Sequence, residues 1–365
     1  MDRKIRRIGI GLVAVIWLLL AGFAWFGPKK AVSDAERRTL AQMPPISTET
    51  LLNGHFMSDF ETYSQDQFPL RDKFRQMKSL FHTYALLQKD NNGIYIAQGY
   101  AAELLYPLDE ESLDHALGQF QKVYDHYLEE ANSRIYTAVI PDKGYYLAEE
   151  NGYLTMDYAQ LFSKVENRMS WATYVDLTDT LSADAYYRTD THWRQEKLLP
   201  TAQKLAEAMG LTQPEAGDYT QTAATDSFYG VYYGQAALPM KPDTLYLMEN
   251  DALADCRVYS FEKDAYSAVY NREKLTGKDP YEVFLSGPEA LLRIENPNAK
   301  TDRELVVFRD SYASSRIPLL IEDYKAVTLV DLRYVDVAQL GRFVEFEGRD
   351  VLFLHSALVL NKKLI

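Results

Sequence analysis

Cysteine is almost absent from this 365-residue chain, which contains one, Cys256. A single thiol excludes an internal disulfide and any metal site built from several cysteines. We expect Cys256 to be a buried and inert residue, because nothing beside it indicates a nucleophile. An exported domain without disulfides is more typical of a bacterium than of a eukaryotic secretory route.

Positive charge is also in short supply. The chain has 39 Lys and Arg against 52 Asp and Glu, for a formal net charge of −13. Phosphate backbones bind to basic protein faces, so this balance argues against nucleic acid as a partner. The abundant residue is tyrosine, with 27. Tyrosine offers a flat stacking surface and a hydroxyl that suit carbohydrate, but it also packs well in cores.

A long run without charge opens the chain. Residues 8–26 are uncharged and follow a basic segment at residues 3–7. A helix needs about 20 apolar residues to cross about 30 Å of hydrocarbon. Because the basic residues precede the run, the positive-inside rule predicts a cytoplasmic N-terminus and an extracytoplasmic remainder. The sequence therefore predicts a single-pass protein of the cell membrane.

A cleaved signal peptide is the alternative interpretation of this run. The apolar core of a signal peptide is shorter, about 7–15 residues, and the small-residue cleavage site around Ala21 and Gly22 is weak. These observations favour an uncleaved anchor. No cysteine follows the run, so a lipoprotein is excluded.

The remainder of the chain alternates between short β-rich segments and amphipathic segments. This order is typical of an α/β domain whose parallel central sheet is covered by helices on both faces, a three-layer architecture. We predict a cytoplasmic stub and anchor at 1–27, a linker at 28–50 and one α/β domain at 51–365, with a tyrosine-rich insertion at about 210–278. The predicted strands are 93–100, 134–141, 172–177, 281–287, 304–311, 326–332 and 350–356, and the predicted helices are 113–130, 158–169, 195–209, a segment ending at about 321, and 335–346.

The stretch YYRTDTHWRQ at 186–195 places Asp190 two residues before His192. With one residue between them in a loop, the carboxylate can reach the imidazole Nδ1–H and leave Nε2 available as a base. The spacing alone is also compatible with an Asx turn and a surface histidine. A metal site is a further interpretation, but no other histidine or carboxylate pair stands at ligand spacing nearby, so neither a metal nor another cofactor is predicted.

A second polar position follows the apolar strand in ELVVFRDSYASSRIPLL at 304–320. Ligands bind at the carboxyl ends of parallel strands, where helix N-termini present their N–H groups. Ser311 would lie there, beside donors that can stabilise an oxyanion. Serine and aspartate are also preferred helix N-caps, so a purely structural role is the alternative.

The segments TDTHW at 189–193, RDSYASSRIPLL at 309–320 and DLRY at 331–334 together resemble the DHHW family of SGNH-hydrolase-like bacterial proteins, relatives of the alginate and exopolysaccharide O-acetylation proteins. YSQDQFPLRD at 63–72, IPDK at 140–143, PDTLYLMEN at 242–250 and YEVFLSG at 281–287 fit as well. The resemblance thus extends from about residue 50 to the C-terminus.

This resemblance implies a triad of Ser311 as nucleophile, His192 as base and Asp190 as the group that orients the base. Arg333 corresponds to a family position near the site and would help to hold an anionic substrate or intermediate, with a structural salt bridge as the alternative. Further substrate-binding or oxyanion candidates are Asp310, Tyr312, Gly287 and Lys143.

One departure concerns the oxyanion hole. Relatives tend to carry a GGN-like turn where this chain has Ser286-Gly287-Pro288. In SGNH enzymes a glycine N–H and an asparagine side chain line the hole, and Pro288 can donate no hydrogen bond. This departure keeps a binding-only protein among the alternatives.

The family resemblance implies an extracytoplasmic O-acyltransferase, most readily an O-acetyltransferase, whose acceptor is a cell-surface or exported polysaccharide. Because acetyl-CoA is cytoplasmic, the implied partner is a multi-span membrane O-acyltransferase that delivers the acyl group. The same triad would serve a carbohydrate O-acetylesterase. A non-catalytic glycan-binding or scaffold protein of an export assembly, suited by the tyrosine-rich segment, is the third interpretation.

Overall fold

The computed structural model describes residues 3–33, 35–363 and 365. By its contacts the chain divides into two units, residues 1–91 with 233–239, and residues 92–232 with 240–365. The predicted domain boundary at residue 51 is not where this division falls. Residues 48–91 group with the anchor because polar side chains of this region bind the segment that follows the anchor.

The first unit begins with the predicted apolar helix. It comprises α1 Arg3–Phe26, β1 Val32–Ser33, β2 Arg38–Thr39, α2 Thr48–Leu52, α3 His55–Asp66, α4 Arg71–Leu80 and a π-helical turn Phe81–Ala85. In the described part of the chain, α1 is the one helix long and apolar enough to cross a bilayer, and it fits a single-pass membrane anchor.

Charged and amide side chains hold the first unit together. The Asp66 carboxylate accepts two hydrogen bonds from the Arg38 guanidinium, at 2.9 and 2.6 Å, and one from the Ala41 N–H. The Arg38 guanidinium lowers the pKa of Asp66 to about 2. The Gln67 amide exchanges hydrogen bonds with the Lys30 backbone at 3.0 and 2.8 Å. Asp66 and Gln67, both in the segment 63–72, thus connect the end of α3 to the chain that follows α1.

The second unit contains the remaining strands and most of the remaining helices. Its strands are β3 Ile94–Ala97, β4 Tyr100–Glu103, β5 Arg134–Ile140, β6 Thr173–Tyr174, β7 Thr220–Phe228, β8 Asp243–Glu249, β9 Arg257–Ser260, β10 Ala265–Ala268, β11 Leu291–Glu295, β12 Glu304–Arg309, β13 Ala326–Val330 and β14 Asp350–Ser356. The α-helices that follow α4 along the chain are α5 Glu110–Val123, α6 Lys143–Leu147, α7 Tyr158–Arg168, α8 Leu199–Met209, α9 Val231–Ala236, α10 Asp251–Asp255, α11 Ala313–Arg316 and α12 Ala357–Leu360. Shorter 3-10 helices include Pro280–Val283, Ile317–Asp323 and Val337–Arg342.

An eight-stranded sheet forms the centre of this unit, in the order β10-β9-β11-β13-β12-β14-β5-β6. The five strands from β13 to β6 are parallel to one another. The predicted parallel α/β sheet is therefore confirmed. The structure adds three antiparallel strands, β11, β9 and β10, beside β13. Two of these come from the tyrosine-rich insertion, so part of that insertion extends the sheet.

Alternate residues of the central strands point to opposite faces, as the two-residue period of a strand requires. Val306 and Phe308 of β12 pack with α5 and α7 in one buried cluster. Leu305 and Val307 pack with α8 in another. Both faces of the sheet are thereby covered, which produces the three predicted layers and explains why the middle residues of β12 and β14 are continuously apolar.

One predicted strand is wrong. Residues 281–287 form the end of a 3-10 helix, Pro280–Val283, followed by a tight turn. The Asp279 carboxylate caps that helix, and Pro280 sets its first φ angle. Leu285, Ser286 and Gly287 then have φ angles of 55°, 65° and 94°, which an extended strand cannot contain.

Candidate active site

The carboxyl end of β12 places Ser311 at the edge of the parallel sheet. Asp310, the residue between β12 and Ser311, is fully buried. Its carboxylate accepts hydrogen bonds from the Ser356 N–H at 2.7 Å, the Ser356 hydroxyl at 2.6 Å and the Tyr312 N–H at 3.0 Å. Ser356 ends the neighbouring strand β14, so Asp310 ties two strand ends together. This bonding gives Asp310 a structural role at the position predicted to bind substrate.

Ser311, His192 and Asp190 lie together in one hydrogen-bonded chain. His192 Nε2 is 2.8 Å from Ser311 Oγ. His192 Nδ1 is 2.6 Å from Asp190 Oδ1. Asp190 is fully buried and His192 nearly so. These are the distances that proton transfer from a serine to an oriented imidazole requires.

Backbone groups hold the Asp190 carboxylate from two sides. Oδ1 also accepts the His192 N–H at 3.1 Å, and Oδ2 accepts the Val231 N–H at 2.8 Å. Gly230 precedes Val231, and a Cβ added to Gly230 would lie 2.2 Å from Asp190 Cβ. Glycine at position 230 is therefore needed for the backbone to approach this carboxylate.

A second carboxylate fixes the loop that carries Asp190 and His192. Asp243 Oδ1 accepts the Arg188 N–H at 3.0 Å, and Oδ2 accepts the Thr189 N–H at 2.9 Å and the Thr189 hydroxyl at 2.7 Å. Asp243 begins β8, more than 50 residues along the chain from this loop. The family resemblance at residues 242–250, PDTLYLMEN, includes Asp243, but it did not indicate which role Asp243 has.

Lys143 lies behind the same loop. Its ammonium is buried and donates to the Tyr187 carbonyl at 2.8 Å and to the Asp190 carbonyl at 2.6 Å. Burial lowers the pKa of Lys143 to about 7, although nearby carboxylates, Asp190 first, act in the opposite direction. Lys143 thus supports the backbone of Asp190, whereas the sequence predicted a substrate contact.

Two aromatic rings enclose the His192 imidazole. The Tyr281 ring is stacked on it, with centroids 3.9 Å apart and an interplanar angle of 10°. The Tyr312 ring lies at 4.9 Å and 54°. Tyr312 also donates from its hydroxyl to the Thr191 carbonyl at 2.7 Å. Sequence reasoning missed Tyr281, because it lies in the segment predicted to be a strand.

Trp193 connects the two halves of the site. Its indole N–H is shared between the Tyr312 carbonyl at 2.9 Å and the Ser315 hydroxyl oxygen at 3.0 Å. The Tyr281 hydroxyl lies 2.8 Å from the same Ser315 oxygen. Trp193 and Tyr281 are both buried, so this network positions the loop against the helix that follows Ser311.

The remaining candidates have other partners. The Gly287 N–H donates to the Phe284 carbonyl at 3.3 Å. The Arg333 guanidinium makes a bidentate ion pair with Asp331 at 2.8 and 2.6 Å. Although burial acts to lower it, the pKa of Arg333 is raised because Asp331 and, more weakly, Asp310 stabilise its charged form. Within residues 3–33, 35–363 and 365, no group of three or more His, Cys, Asp or Glu could hold a metal ion.

The sequence model of the family described as DHHW protein matches residues 155–330, a range that contains Asp190, His192 and Ser311. The predicted resemblance to the DHHW family is thus confirmed. No curated protein matches the sequence. The DHHW match ends before β14, so the Ser356 contact to Asp310 lies outside it.

Solved structures agree with this resemblance. A DHHW family protein from Eubacterium siraeum DSM 15702 is 20% identical, with a TM-score of 0.57 over 75% of this chain and 93% of that chain. Bacillus cereus PatB1, also solved with a sulfonyl adduct, is 19% identical, with a TM-score of 0.58 over 74% of this chain and 98% of that chain. The O-acetyltransferase domain of Pseudomonas putida AlgJ aligns at 16% identity with a TM-score of 0.44, over 75% and 94% of the two chains. The first two similarities establish that this chain shares their α/β fold.

Proposed function

We propose that this protein is a membrane-anchored, extracytoplasmic O-acyltransferase that transfers an acetyl group to a cell-surface or exported polysaccharide. The observation that carries the proposal is the hydrogen-bonded chain from Asp190 through His192 to Ser311 at the carboxyl edge of the parallel sheet. The family resemblance supports the acyl group and the class of acceptor. No metal or organic cofactor takes part in the proposed chemistry.

The first half-reaction makes an ester on Ser311. Its Oγ attacks the acyl carbonyl of the donor while its proton passes to His192 Nε2, and the Asp190 carboxylate stabilises the imidazolium. The tetrahedral intermediate then breaks its bond to the donor oxygen, which takes the proton from His192. The products are the acyl-Ser311 ester and the donor alcohol.

The second half-reaction uses the same groups in the same order. A sugar hydroxyl gives its proton to His192 Nε2 and attacks the ester carbonyl. Collapse of the second intermediate breaks the bond to Ser311 Oγ, which recovers the proton. The products are the acylated sugar and the free serine. Water as the acceptor would give an O-acetylesterase.

The Ser311 N–H is our candidate for an oxyanion donor. In the described chain no other residue accepts a hydrogen bond from it. Pro288 has no N–H, and the Gly287 N–H is directed to the Phe284 carbonyl. We further propose that the exposed part of Arg333, fixed by Asp331, binds an anionic group of the substrate.

An acyl donor must reach the extracytoplasmic side of the bilayer for this chemistry. Acetyl-CoA is cytoplasmic, so we propose that a multi-span membrane O-acyltransferase supplies the acyl group and is the physiological partner. The anchor α1 would keep the domain beside such a partner. Co-isolation of the two proteins from detergent-solubilised membranes, with loss of acylated polysaccharide when either is deleted, tests this pairing.

The full-length protein in detergent, given a chromogenic acetyl ester, tests the reaction. We expect Ser311→Ala and His192→Ala to lower the rate by about 10³-fold or more, the scale on which triad members act in other serine enzymes. Intact-mass measurement should find one acetyl group on the wild-type chain and none on Ser311→Ala. Ser163→Ala and His126→Ala are matched controls, since both residues are exposed, and they should be fully active.

The outcomes separate the alternatives. Unchanged turnover in Ser311→Ala and His192→Ala would show that the triad assignment is wrong. Release of acetate alone in the presence of oligosaccharide acceptors would identify an esterase. Glycan binding that survives Ser311→Ala, with no ester turnover by the wild type, would identify a binding protein.

A further inference from the structure

An exposed apolar stripe runs along α4 in the first unit. It consists of Leu70, Phe74, Met77 and Phe81, whose side chains are between 42% and 67% exposed. Phe74, Met77 and Phe81 are spaced by three and four residues, which places them on one side of a helix with 3.6 residues per turn. Leu70 is the N-cap residue directly before α4. Large apolar side chains aligned in this way mark a surface that contacts another apolar phase.

The opposite side of α4 already has its partners. The buried Ser79 hydroxyl donates to the Ala236 carbonyl at 2.6 Å. The Arg75 guanidinium donates to the Gly234 carbonyl at 2.9 Å and pairs with Glu36 at 3.2 Å. The inner side of α4 therefore packs within the first unit, and the stripe faces outward.

The charges around the stripe suit a lipid surface. The ten residues of α4, RDKFRQMKSL, include four basic residues and one acidic residue. At 100° per residue, the exposed Lys73 and Lys78 lie on the two flanks of the stripe. An apolar face flanked by lysines is the pattern of helices that lie in the membrane interface, where the lysine ammonium groups reach the head groups.

The stripe begins where the membrane anchor ends. The Trp25 ring, in the last turn of α1, is 6.2 Å from the Phe60 ring of α3. The Lys30 N–H, four residues after α1, donates to the side chain of Gln67, which lies three residues before Leu70 of the stripe. A cavity of about 930 Å³ is lined by both Phe23 of α1 and Leu70 of the stripe. The stripe is thus continuous with the surface by which α1 meets the bilayer.

We propose that this stripe inserts into the interface of the bilayer that α1 spans, so that the chain contacts the membrane with α4 as well as with α1. Continuity with the anchor and the flanking lysines favour lipid over a second copy of the chain. The proposal does not depend on the chemistry assigned to Ser311.

A fluorescent label placed on the stripe tests the proposal in the full-length protein. A nitrobenzoxadiazole group is attached to Met77→Cys in a Cys256→Ser background, and the protein is reconstituted in nanodiscs of phosphatidylcholine and phosphatidylglycerol. Spin-labelled lipids with the nitroxide near the head group should quench the label several-fold more strongly than at Asp72→Cys. Asp72 is the matched control, because it is exposed on α4 but lies on the opposite side.

A second variant keeps the test informative. Phe74→Glu is combined with a label at Phe81→Cys, and we expect it to reduce quenching at that site. Because the Phe74 ring also packs edge-on against Phe68 at 5.4 Å, an unchanged denaturant unfolding curve is the check that the variant folds. Equal quenching at positions 77 and 72, or quenching at 81 that is unaffected by Phe74→Glu, would overturn the proposal. The label at position 77 could also be shielded from water by a second copy of the chain. Shielding that depends on the protein-to-lipid ratio, without quenching by the spin-labelled lipid, would overturn the proposal in favour of self-association.

Discussion

At the scale of single residues, the base of the proposed triad is the group that the surroundings constrain most. Asp190 fixes the imidazole of His192 at Nδ1, and Tyr281 covers one of its faces. A tyrosine face carries negative electrostatic potential, so it stabilises a cation above it by about 0.5–2 kcal/mol. In the proposed reaction, Tyr281 would therefore position His192 and would also favour the imidazolium formed when His192 takes the Ser311 proton.

Two substitutions of Tyr281 distinguish the contribution of its ring from that of its hydroxyl. Tyr281→Leu removes the ring that faces the imidazolium, so kcat should fall by about 10-fold, because losing about 1.4 kcal/mol of stabilisation slows a reaction about 10-fold. Tyr281→Phe keeps the ring and loses only the hydroxyl contact to Ser315, so its kcat should stay close to that of the wild type. The measurement is kcat and KM of both variants with an acetyl ester. Equal kcat values for the Leu and Phe variants would contradict this role.

At the scale of secondary-structure elements, the sequence predicts the parallel half of the sheet well. Residues 305–308 and 351–354 are apolar at every position, as the centres of the buried parallel strands β12 and β14 require. The placement of Ser311 after β12 follows from the same pattern. The antiparallel strand β11 was missed, because Leu291–Glu295 has no helix after it to complete the alternating order.

The proposed reacting groups of the site could be identified in the sequence, whereas the residues that support them could not. Asp190, His192 and Ser311 carry chemistry that can be recognised in a sequence. Asp243 and Gly230 act through the backbone of the loop they contact, and nothing in their local sequence indicates that loop. Such supports become visible only when the fold brings residues more than 40 positions apart into contact.

The strand β14 carries a second buried histidine, which predicts a pH dependence of stability. The His355 ring lies 4.7 Å from the Phe120 ring, tilted by 34°, and burial lowers the pKa of His355 to about 4 from an ordinary value of 6.5. Its folded-state pKa is lower than its unfolded-state value, so the unfolded chain takes up the proton first. The contribution of His355 to stability is complete above pH 6.5 and is lost as the pH falls through 4.

Replacing this histidine should weaken that dependence. His355→Gln does not titrate, so between pH 6.5 and 4 its free energy of unfolding should fall by about 3 kcal/mol less than that of the wild type. Denaturant unfolding at several pH values measures the difference. The exposed His126→Gln is the control and should follow the wild type. Parallel curves for wild type and His355→Gln would show that His355 does not titrate in this range.

At the scale of the whole molecule, the chain combines a membrane-proximal unit with an α/β unit. The apolar run was recognisable because its length matches a bilayer. The grouping of residues 48–91 with this anchor was not recognisable from the sequence. It depends on Arg38 binding Asp66 and on Gln67 binding Lys30, pairs that are 28 and 37 residues apart. Helical periodicity alone does not show which unit a helix joins.

The orientation of α1 gives the last prediction, and the proposed function depends on it. Four basic residues precede the apolar run, at positions 3, 4, 6 and 7, and two follow it, at 29 and 30. The positive-inside rule then places the N-terminus in the cytoplasm and Ser311 outside. In intact cells of a bacterial host, externally added protease should digest the α/β domain and spare an N-terminal epitope tag that remains in the membrane fraction.

Charge variants test the cause of this orientation. Changing residues 3, 4, 6 and 7 to glutamine should move a measurable fraction of chains to the inverted orientation, in which the domain resists protease. Changing Lys29 and Lys30 to glutamine should leave the orientation as it is, because the excess of basic residues before the apolar run over those after it then increases. A domain that resists protease in the wild type would contradict the extracytoplasmic assignment, and loss of the N-terminal tag from the mature chain would identify the run as a cleaved signal peptide.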